Sequence, residues 1–327
     1  MRKDVMINLD ASIFENTDSW ENFKYKIEKY YNADYSEIGR KYEIFAKYYF
    51  MLESECREDY KSVWLYNEIP TNIRDSLNLT KIEHGIDLLL EDHDNNFYAV
   101  QCKYRANEDS KLSWSKDKIA NLFGYSNKIE NYIVFSNASD LDDVSQTRTS
   151  KFQFISIADM LKLEDTFFKD VHIYIKENKR INLSIKYKPR EHQEKAITSA
   201  LQHYLKNDRG QLILPCGAGK TLTSLWIKEA LNGNDCLVLL PSLALLKQIK
   251  SDWKKQSNSH FDYICVCSDD DIDKADNDTT NIKLYDVDIK VTTNPDEINC
   301  FLGKNKKKVI FSTYQSVDIV IPNSFYP

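Results

Sequence analysis

The stretch Leu214-Pro215-Cys216-Gly217-Ala218-Gly219-Lys220-Thr221 separates two segments of different hydrophobic pattern. Before it, the apolar residues from Gln211 to Leu214 predict a short buried strand. After it, apolar residues recur at helical spacing and predict a helix with one buried stripe, formed by Leu222, Leu225, Trp226 and Ala230. A strand, a glycine-rich turn and a helix in this order are typical of an α/β fold.

The glycine-rich turn has the composition of a phosphate-binding loop. Glycines let backbone N–H groups turn towards phosphate oxygens, and the start of a helix favours negative charge. In such a loop Lys220 reaches the β- and γ-phosphates of ATP, and the hydroxyl of Thr221 binds Mg²⁺. We therefore expect ATP to be bound by Gly217, Gly219, Lys220 and Thr221, with Thr221 as a metal ligand.

Further apolar runs follow this helix and alternate with polar or helical segments. They extend from Cys236 to Leu240, from Tyr263 to Val266 and from Val309 to Phe311. Strands that alternate with helices form a parallel sheet with right-handed crossovers. The acidic and polar stretch from Asp269 to Thr280 predicts an exposed loop.

The first half of the chain has a different, mixed pattern. Two amphipathic helices are predicted from the spacing of Trp20, Phe23, Ile27 and Tyr30, and of Ile38, Tyr42, Phe45 and Tyr49. A β-hairpin is predicted for Gly85 to Leu90 and Phe97 to Lys103, joined by the polar turn Glu91 to Asn96. Further strands are expected at Ser62 to Tyr66, Tyr132 to Phe135 and Phe152 to Ile157, with a helix between Asp117 and Lys128.

A basic stretch without apolar runs, Lys176 to Arg190, marks the change between the two patterns. We therefore predict two domains, residues 1–178 and residues 179–327. The formal net charge of −6 means that any path for nucleic acid has to be local. The seven cysteines lack the spacing of a zinc site, and no apolar run is long enough for a signal peptide or a membrane span. These features predict a cytoplasmic protein with reduced thiols.

The predicted hairpin carries residues that suit phosphodiester hydrolysis. Gln101 and Lys103 lie two apart on one strand, so their side chains share a face, and that face can converge on Asp87. Hydrolysis needs a divalent cation and a positive charge near the phosphate. Asp87 and Gln101 are the candidate metal ligands and Lys103 the candidate catalytic cation, with Glu43 on the preceding helix as an extra carboxylate.

Structural explanations compete with this interpretation. Asp87 can cap a strand, and Lys103 and Arg105 can be the solvated end of an edge strand. A local excess of cations follows Gln101, with Trp114 and Tyr125 nearby, and it suits either a phosphate backbone or an ordinary solvated helix face. The cations are Lys103, Arg105, Lys111, Lys116, Lys118 and Lys128, against Glu108, Asp109 and Asp117.

Glu43, Gly85-Ile86-Asp87 and Gln101-Cys102-Lys103 together resemble the Mrr-like branch of the PD-(D/E)xK restriction-endonuclease superfamily. The resemblance covers about residues 35 to 140. In that branch a Gln commonly replaces the Glu of other members, so Asp87, Gln101 and Lys103 match its motif. The resemblance implies a Mg²⁺-dependent DNA endonuclease with a restriction-endonuclease-like mixed sheet.

The second half resembles superfamily two helicases in four segments that occur in the order of that family. They are Pro189-Arg190-Glu191-His192-Gln193, the shortened Gly217-Ala218-Gly219-Lys220-Thr221 loop, Leu237 to Ser242 with Leu245, Gln248 and Trp253, and Ile310 to Ser316. The resemblance implies that Arg190 and Gln193 recognise the adenine of ATP. It also implies that Ser242, Gln248, Thr313 and Gln315 contact DNA. A kinase with the same loop would not predict Gln193 or the later Thr-Tyr-Gln-Ser segment.

Two parts of a helicase motor are missing from the sequence. We find no DEAH-type motif at the end of an apolar strand, since Asp269-Asp270-Asp271 lies in a polar stretch, and no second RecA-like domain. We therefore expect an incomplete RecA-like parallel α/β domain that binds ATP weakly without useful turnover. The combination resembles the N-terminal portion of single-chain ATP-dependent restriction enzymes such as the type ISP group.

Three functions remain open from the sequence. The first is a Mg²⁺-dependent endonuclease for duplex DNA with an incomplete helicase module, acting in restriction or DNA processing, with a protein partner that supplies the rest of the motor. The second is a non-catalytic remnant that binds DNA or a partner, because the neutral Gln101 weakens the metal site. The third, an RNA helicase, is disfavoured by the nuclease type.

Overall fold

The structure is a computed structural model of the 327-residue chain. It describes residues 9–81, 85–113, 117, 122, 124, 128–142, 151–268, 284–288 and 290–324. The chain divides into two compact units between Ser184 and Ile185. Residues just before this division are tied to the first unit, because Leu183 N donates to the carboxylate of Asp170 at 3.2 Å.

A five-stranded mixed sheet forms the centre of the first unit. The strands are β1 (Tyr60–Leu65), β2 (Leu88–Asp92), β3 (Phe97–Lys103), β5 (Asn131–Ser136) and β7 (Lys151–Ile155), and β4 (Lys111–Leu112) pairs separately with β6 (Asp140–Leu141). The spatial order of the sheet is β1-β2-β3-β5-β7, and its first three strands pair antiparallel whereas β3, β5 and β7 pair parallel. This arrangement confirms the predicted mixed α/β fold.

Both predicted amphipathic helices are present. They are α1 (Trp20–Tyr30) and α2 (Tyr35–Leu52), and each begins at a side-chain cap, Ser19 for α1 and Asp34 for α2. The aromatic face of α2 packs on the sheet, where the ring of Phe135 on β5 lies 5.3 Å from Tyr42 and 5.1 Å from Tyr49. Burial of these rings stabilises the unit and fixes α2 against β5.

The ladder register decides which face of the sheet each β3 residue uses. Cys102 on β3 is the partner of Phe135 on β5, so both side chains point towards α2. Because side chains alternate along a strand, Gln101 and Lys103 point to the opposite face. The predicted pairing of these two residues on one face is therefore confirmed.

Three further helices of the first unit are described, namely α3 (Thr71–Ser76), α4 (Ile157–Met160) and α5 (Asp165–Glu177). Most of the helix predicted between Asp117 and Lys128 lies outside the described residues. Trp114, Tyr125, Lys116 and Lys118 lie outside them as well.

The second unit contains a parallel sheet, as predicted. Its order is β8-β10-β9, with β8 (Asp235–Leu240), β10 (Lys308–Thr313) and β9 (Asp262–Val266). Helices α6 (Glu191–Tyr204), α7 (Lys220–Leu231), α8 (Leu243–Gln256), α9 (Leu284–Val287), α10 (Pro295–Leu302) and α11 (Val317–Ser324) belong to this unit. The predicted loop from Asp269 to Thr280, with Asp269-Asp270-Asp271, lies outside the described residues.

The strand predicted at Gln211 to Leu214 was wrong. The structure gives these residues no strand, and Leu212 and Ile213 are 46% and 85% exposed. A strand is stabilised by hydrogen bonds to a neighbouring strand, and none of the described strands pairs with this segment. Apolar composition alone therefore does not place the segment in the sheet.

None of the helices in the described part of the chain has the length and the apolar composition of a membrane span.

Candidate nuclease and nucleotide-binding sites

Asp87 lies where the ladder between β2 and β3 becomes irregular. Its backbone N donates to Val100 O at 2.8 Å, although Val100 is already the ladder partner of Leu88. Two consecutive residues therefore face one residue of β3, as in a β-bulge. The carboxylate of Asp87 is buried and accepts a hydrogen bond from Cys102 N at 2.6 Å through Oδ2. The structure thus fastens Asp87 to the backbone between Gln101 and Lys103.

Gln101 is a buried amide whose oxygen is left without a partner. The residue is 2% exposed, and its Oε1 has no hydrogen-bond partner among the described residues. A buried polar atom without a partner costs about 1–3 kcal/mol, so it needs a structural or functional reason. A cation that accepts an oxygen ligand at this position would satisfy it.

Lys103 occupies the last position of β3 on the same face as Gln101. Its backbone is held in place, because Ser136 Oγ donates to Lys103 O at 2.6 Å. In the part of the chain that the structure describes, no ion pair joins the ammonium group of Lys103 to a carboxylate. The ammonium group therefore remains available to a phosphate or a water molecule.

Glu43 belongs to a different layer of the domain. It lies half-buried on α2, between the buried residues Tyr42 and Ile44. Since α2 packs on the face that carries Cys102, this helix covers the side of the sheet opposite to Gln101 and Lys103. The proposed role of Glu43 as an extra metal ligand stays a prediction.

Cations that follow the site along the chain are partly neutralised within the domain. Arg105 forms an ion pair with Asp117, and Asn137 holds its backbone through hydrogen bonds of 2.7 Å to both Arg105 N and Arg105 O. Lys111 pairs with Asp140 at 3.4 Å. Arg105 is thus a paired structural residue rather than a solvated strand end. These pairs reduce the charge that the predicted basic patch offers to DNA.

The phosphate-binding loop has the backbone conformation that its glycines allow. Gly217 and Gly219 have φ angles of 77° and 76°, in the left-handed region that favours glycine. Gly219 directly precedes the first turn of α7, which begins with the exposed Lys220 and the half-buried Thr221. The loop and the helix start are therefore arranged as a site for an anion.

Gln193 braces this loop from α6. Its buried side chain places Nε2 3.3 Å from Ala218 O, 3.3 Å from Gly219 O and 3.2 Å from Thr223 Oγ1. Its Oε1 accepts a hydrogen bond from Arg190 N at 2.9 Å. The structure therefore brings Gln193 to the loop, with its amide bound to protein atoms, and Arg190 contacts Gln193 through its backbone N. Their predicted contact with adenine stays a prediction.

Three of the four predicted DNA-contacting residues lie at or just after the carboxyl ends of β8 and β10. Thr313 is the ladder partner of Leu240, and Tyr314 N donates to Leu240 O at 3.0 Å, so β8 and β10 end together. Ser242 caps α8 just after β8, and Gln315 is exposed just after β10. Gln248 is exposed on α8. Thr313, by contrast, is fully buried, so its side chain is not presented at the surface.

Comparison with protein-family models divides the chain in the same order. Residues 51–169 match the model of a restriction endonuclease family, and residues 186–323 match the model of the type III restriction enzyme, res subunit. The chain joins a restriction-endonuclease domain to a helicase-like domain. The nuclease-domain match includes Asp87, Gln101 and Lys103 but begins after Glu43.

One solved structure shares this fold over most of the chain. The ATP-dependent type ISP restriction-modification enzyme LlaBIII bound to DNA matches 95% of the chain with a TM-score of 0.71 and 22% sequence identity. The match covers 19% of LlaBIII, so this chain spans about a fifth of the length of that enzyme. A nuclease-deletion mutant of the type ISP enzyme LlaGI, in complex with a DNA substrate mimic, matches 43% of the chain and 14% of LlaGI at 35% identity, with a TM-score of 0.35. No curated protein matches the chain.

Two features of the helicase-like domain were not anticipated from the sequence. Trp253 Nε1 on α8 donates to Thr221 O at 3.0 Å, which links two residues that lie far apart in the chain. Lys250 forms a buried ion pair with Asp288, whose carboxylate also accepts from Tyr263 OH at 3.0 Å. Burial by itself raises the pKa of Asp288, but the charges of Lys250 and Lys254 lower it below its usual range. Neither contact can be predicted from the spacing of residues in the sequence.

Proposed function

We propose that the nuclease domain is a Mg²⁺-dependent DNA endonuclease that acts in restriction or DNA processing. The observation that carries the proposal is the hydrogen bond from Cys102 N to the Asp87 carboxylate, which ties Asp87 to the backbone beside Gln101, whose buried Oε1 has no partner among the described residues. The two oxygen-bearing side chains and Lys103 then occupy one short segment of β3 and its bulged neighbour. This grouping suits the cleavage of a phosphodiester bond better than a purely structural role.

The side chains at this position fit a magnesium ion. Mg²⁺ prefers oxygen ligands and usually keeps several of its waters, so one carboxylate and one amide oxygen are a sufficient protein contribution. When bound, the ion would polarise the phosphate and lower the pKa of a water molecule. Within the described residues no group of three or more His, Cys, Asp or Glu side chains could hold a metal. We therefore expect modest affinity.

The other residues of the site have roles that follow from their charge and position. Asp87 and Gln101 would hold the ion through their side-chain oxygen atoms. The Lys103 ammonium group places a positive charge beside the scissile phosphate, where negative charge develops during attack by water. Cys102 N orients the Asp87 carboxylate by a hydrogen bond of 2.6 Å.

For the helicase-like domain we propose binding of ATP with Mg²⁺. Gly217 and Gly219 turn the loop towards the phosphates, Lys220 is exposed at the helix start, and Thr221 offers its hydroxyl to the ion. Arg190 and Gln193 would meet the adenine after release of their present contacts with each other and the loop. Steady ATP turnover would also need an acidic motif that orients Mg²⁺ and the attacking water, and we propose no residue of this segment for that role.

Duplex DNA is the substrate that this combination suits. LlaBIII, which shares the fold over 95% of the chain, was solved bound to DNA. In the helicase-like domain, Ser242 and Gln315 lie just after the carboxyl ends of β8 and β10, and Gln248 is exposed on α8. We propose that this end of the sheet, the DNA edge, follows the DNA backbone together with α8. Thr313 is buried, and it would contribute to this contact by holding in place the turn that carries Gln315.

A plasmid assay tests the nuclease proposal directly. We would incubate the full chain with supercoiled plasmid and Mg²⁺, with and without ATP, and follow nicking and linearisation. We expect cleavage by the parent chain that Asp87→Ala and Lys103→Ala abolish. The exposed residues Asp109 and Lys162 offer matched controls, and Asp109→Ala and Lys162→Ala should keep activity.

One observation favours a second function, a non-catalytic module that binds DNA. Among the described residues, no group of three or more His, Cys, Asp or Glu side chains surrounds Asp87, and Glu43 lies on the helix layer of the other face. If Mg²⁺ and Mn²⁺ both fail to support cleavage while the chain still binds duplex DNA, the binding module is the correct assignment. Cleavage that Asp109→Ala keeps and Asp87→Ala loses would exclude it.

A further inference from the structure

Trp253 sits at a junction of three elements of the helicase-like domain. The residue is 2% exposed, lies on α8 and donates from Nε1 to Thr221 O at 3.0 Å. Its indole ring also meets the ring of Phe311 on β10 edge-on, with 5.8 Å between the ring centroids. A single buried side chain therefore contacts the first turn of α7 and the middle of β10 while belonging to α8.

Each of these three elements contains or adjoins a residue of a proposed binding site. Thr221 on α7 is the proposed ligand of the nucleotide-bound Mg²⁺. Helix α8 begins directly after its cap Ser242, and β10 ends at Thr313, two residues after Phe311 and just before Gln315. The nucleotide site and the proposed DNA edge therefore share one packed contact.

We propose that Trp253 is a positioning residue that couples nucleotide binding at Thr221 to DNA binding by α8 and the end of β10. The proposal rests on the ATP binding and DNA binding proposed above. Close-packed interiors do not deform continuously, so a shift of Thr221 on binding Mg²⁺ and phosphate is passed to the indole hydrogen-bonded to it. Because Trp253 belongs to α8, a displacement of its indole also moves that helix. The contact of the indole with the ring of Phe311 transmits the displacement to β10.

Trp226 provides a matched control for this contact. It lies on α7 and is buried like Trp253, but its indole makes no hydrogen bond among the described residues. Trp253→Phe keeps an aromatic ring and removes the N–H that binds Thr221 O. Trp226→Phe makes the same change in side-chain size without removing such a bond. Any difference between the two variants then reports the Trp253–Thr221 contact.

The experiment measures the affinity of the full chain for a duplex oligonucleotide with and without Mg²⁺ and a non-hydrolysable ATP analogue. In the parent chain and in Trp226→Phe we expect the analogue to change the DNA affinity by about fivefold or more, the lower range of allosteric coupling. In Trp253→Phe we expect this ratio to fall towards one. A merely structural role would weaken both affinities and leave their ratio unchanged, which would overturn the proposal.

A second measurement needs no variant. Hydrogen exchange of the parent chain, followed by mass spectrometry, should slow in residues 243–256 and 308–315 when the analogue binds. Binding of the analogue without any change in these segments overturns the role of Trp253 but leaves the proposed ATP binding intact. A parent chain that does not bind the analogue at all overturns both, so the two failures are distinguishable.

Discussion

The carboxylate of Asp87 accepts a hydrogen bond from the backbone N of Cys102 at 2.6 Å, across the bulge between β2 and β3. This bond makes Asp87 part of the fold as well as part of the proposed site. An Asn side chain offers an oxygen of similar position but no negative charge. Substitutions at Asp87 can therefore separate the structural contribution from the proposed metal binding.

For Asp87→Asn we expect complete loss of Mg²⁺-dependent cleavage and a change of about 1 kcal/mol or less in the free energy of unfolding, because the acceptor for Cys102 N is kept. For Asp87→Ala we expect the same loss of cleavage and a destabilisation of about 1–3 kcal/mol, because the buried N–H loses its partner. Urea unfolding and the plasmid assay measure the two effects. Equal stability of both variants would contradict the structural half of the prediction.

We expect that Gln101 serves metal binding and lowers the stability of the fold when no metal is bound. We expect Gln101→Leu to raise the free energy of unfolding by about 1 kcal/mol in the absence of metal, because an unpartnered buried amide oxygen is replaced by an apolar group of similar size. The same variant should lose cleavage. Gln101→Glu should bind Ca²⁺, a non-catalytic probe, more tightly than the parent in calorimetry. A destabilised Gln101→Leu would mean that Oε1 has a partner after all.

Cys216 reports directly on the phosphate-binding loop. Its thiol is exposed between Pro215 and Gly217, and the exposed Cys300 lies elsewhere in the domain. We expect Mg²⁺ with ATP to slow alkylation of Cys216 by N-ethylmaleimide at least severalfold and to leave Cys300 unchanged. Peptide mass spectrometry measures both rates in one sample. Equal protection of both thiols, or of neither, would argue against nucleotide binding in this loop.

Substitution of Gly219 tests how closely the phosphate-binding loop packs against Gln193 on α6. A Cβ at this position would lie 2.6 Å from Gln193 Nε2, and the φ angle of 76° disfavours any other residue. We expect Gly219→Ala to destabilise the domain by about 1–2 kcal/mol or more and to remove the protection of Cys216 by ATP. Gly233→Ala, where the nearest atom is Asp235 O at 3.8 Å, is the control and should keep the protection. Adding Gln193→Ala should recover part of the stability.

The buried pair of Lys250 and Asp288 predicts a pH dependence of stability. The folded-state pKa of Asp288 lies below its unfolded value of about 3.9, because the effect of Lys250 and Lys254 exceeds that of burial. Its contribution is therefore complete above pH of about 4 and is lost as the pH falls through the lower, folded value. We expect Asp288→Asn to cost about 3–5 kcal/mol at pH 7, because the buried ammonium group of Lys250 loses the negative charge of Asp288.

The control for this prediction is a solvent-exposed pair in the same domain. Glu191 pairs with Lys195 at 2.6 Å, and both side chains are largely exposed. Glu191→Gln should therefore cost less than about 1 kcal/mol. Urea titrations between pH 7 and pH 3 should show that the loss caused by Asp288→Asn shrinks at the acidic end. A loss that does not depend on pH would contradict the pKa shift of Asp288.

Local patterns in the sequence determined much of the architecture. The aromatic spacing of α1 and α2, the alternation of β3 and the glycine-rich start of α7 each depend on residues a few positions apart. Such patterns also placed Gln101 and Lys103 on one face and Gly217 and Gly219 in a turn. The roles assigned to these residues stay predictions, because a pattern specifies geometry more closely than it specifies chemistry.

Only the tertiary structure decided which distant residues meet. Gln211 to Leu214 have the composition of a strand, but a strand forms only beside a partner, and the described strands leave this segment unpaired. The contacts of Asp87 with Cys102 and of Trp253 with Thr221 join residues that are 15 and 32 positions apart. Such contacts depend on the packing of whole elements, and packing is not encoded in any one short stretch of the chain.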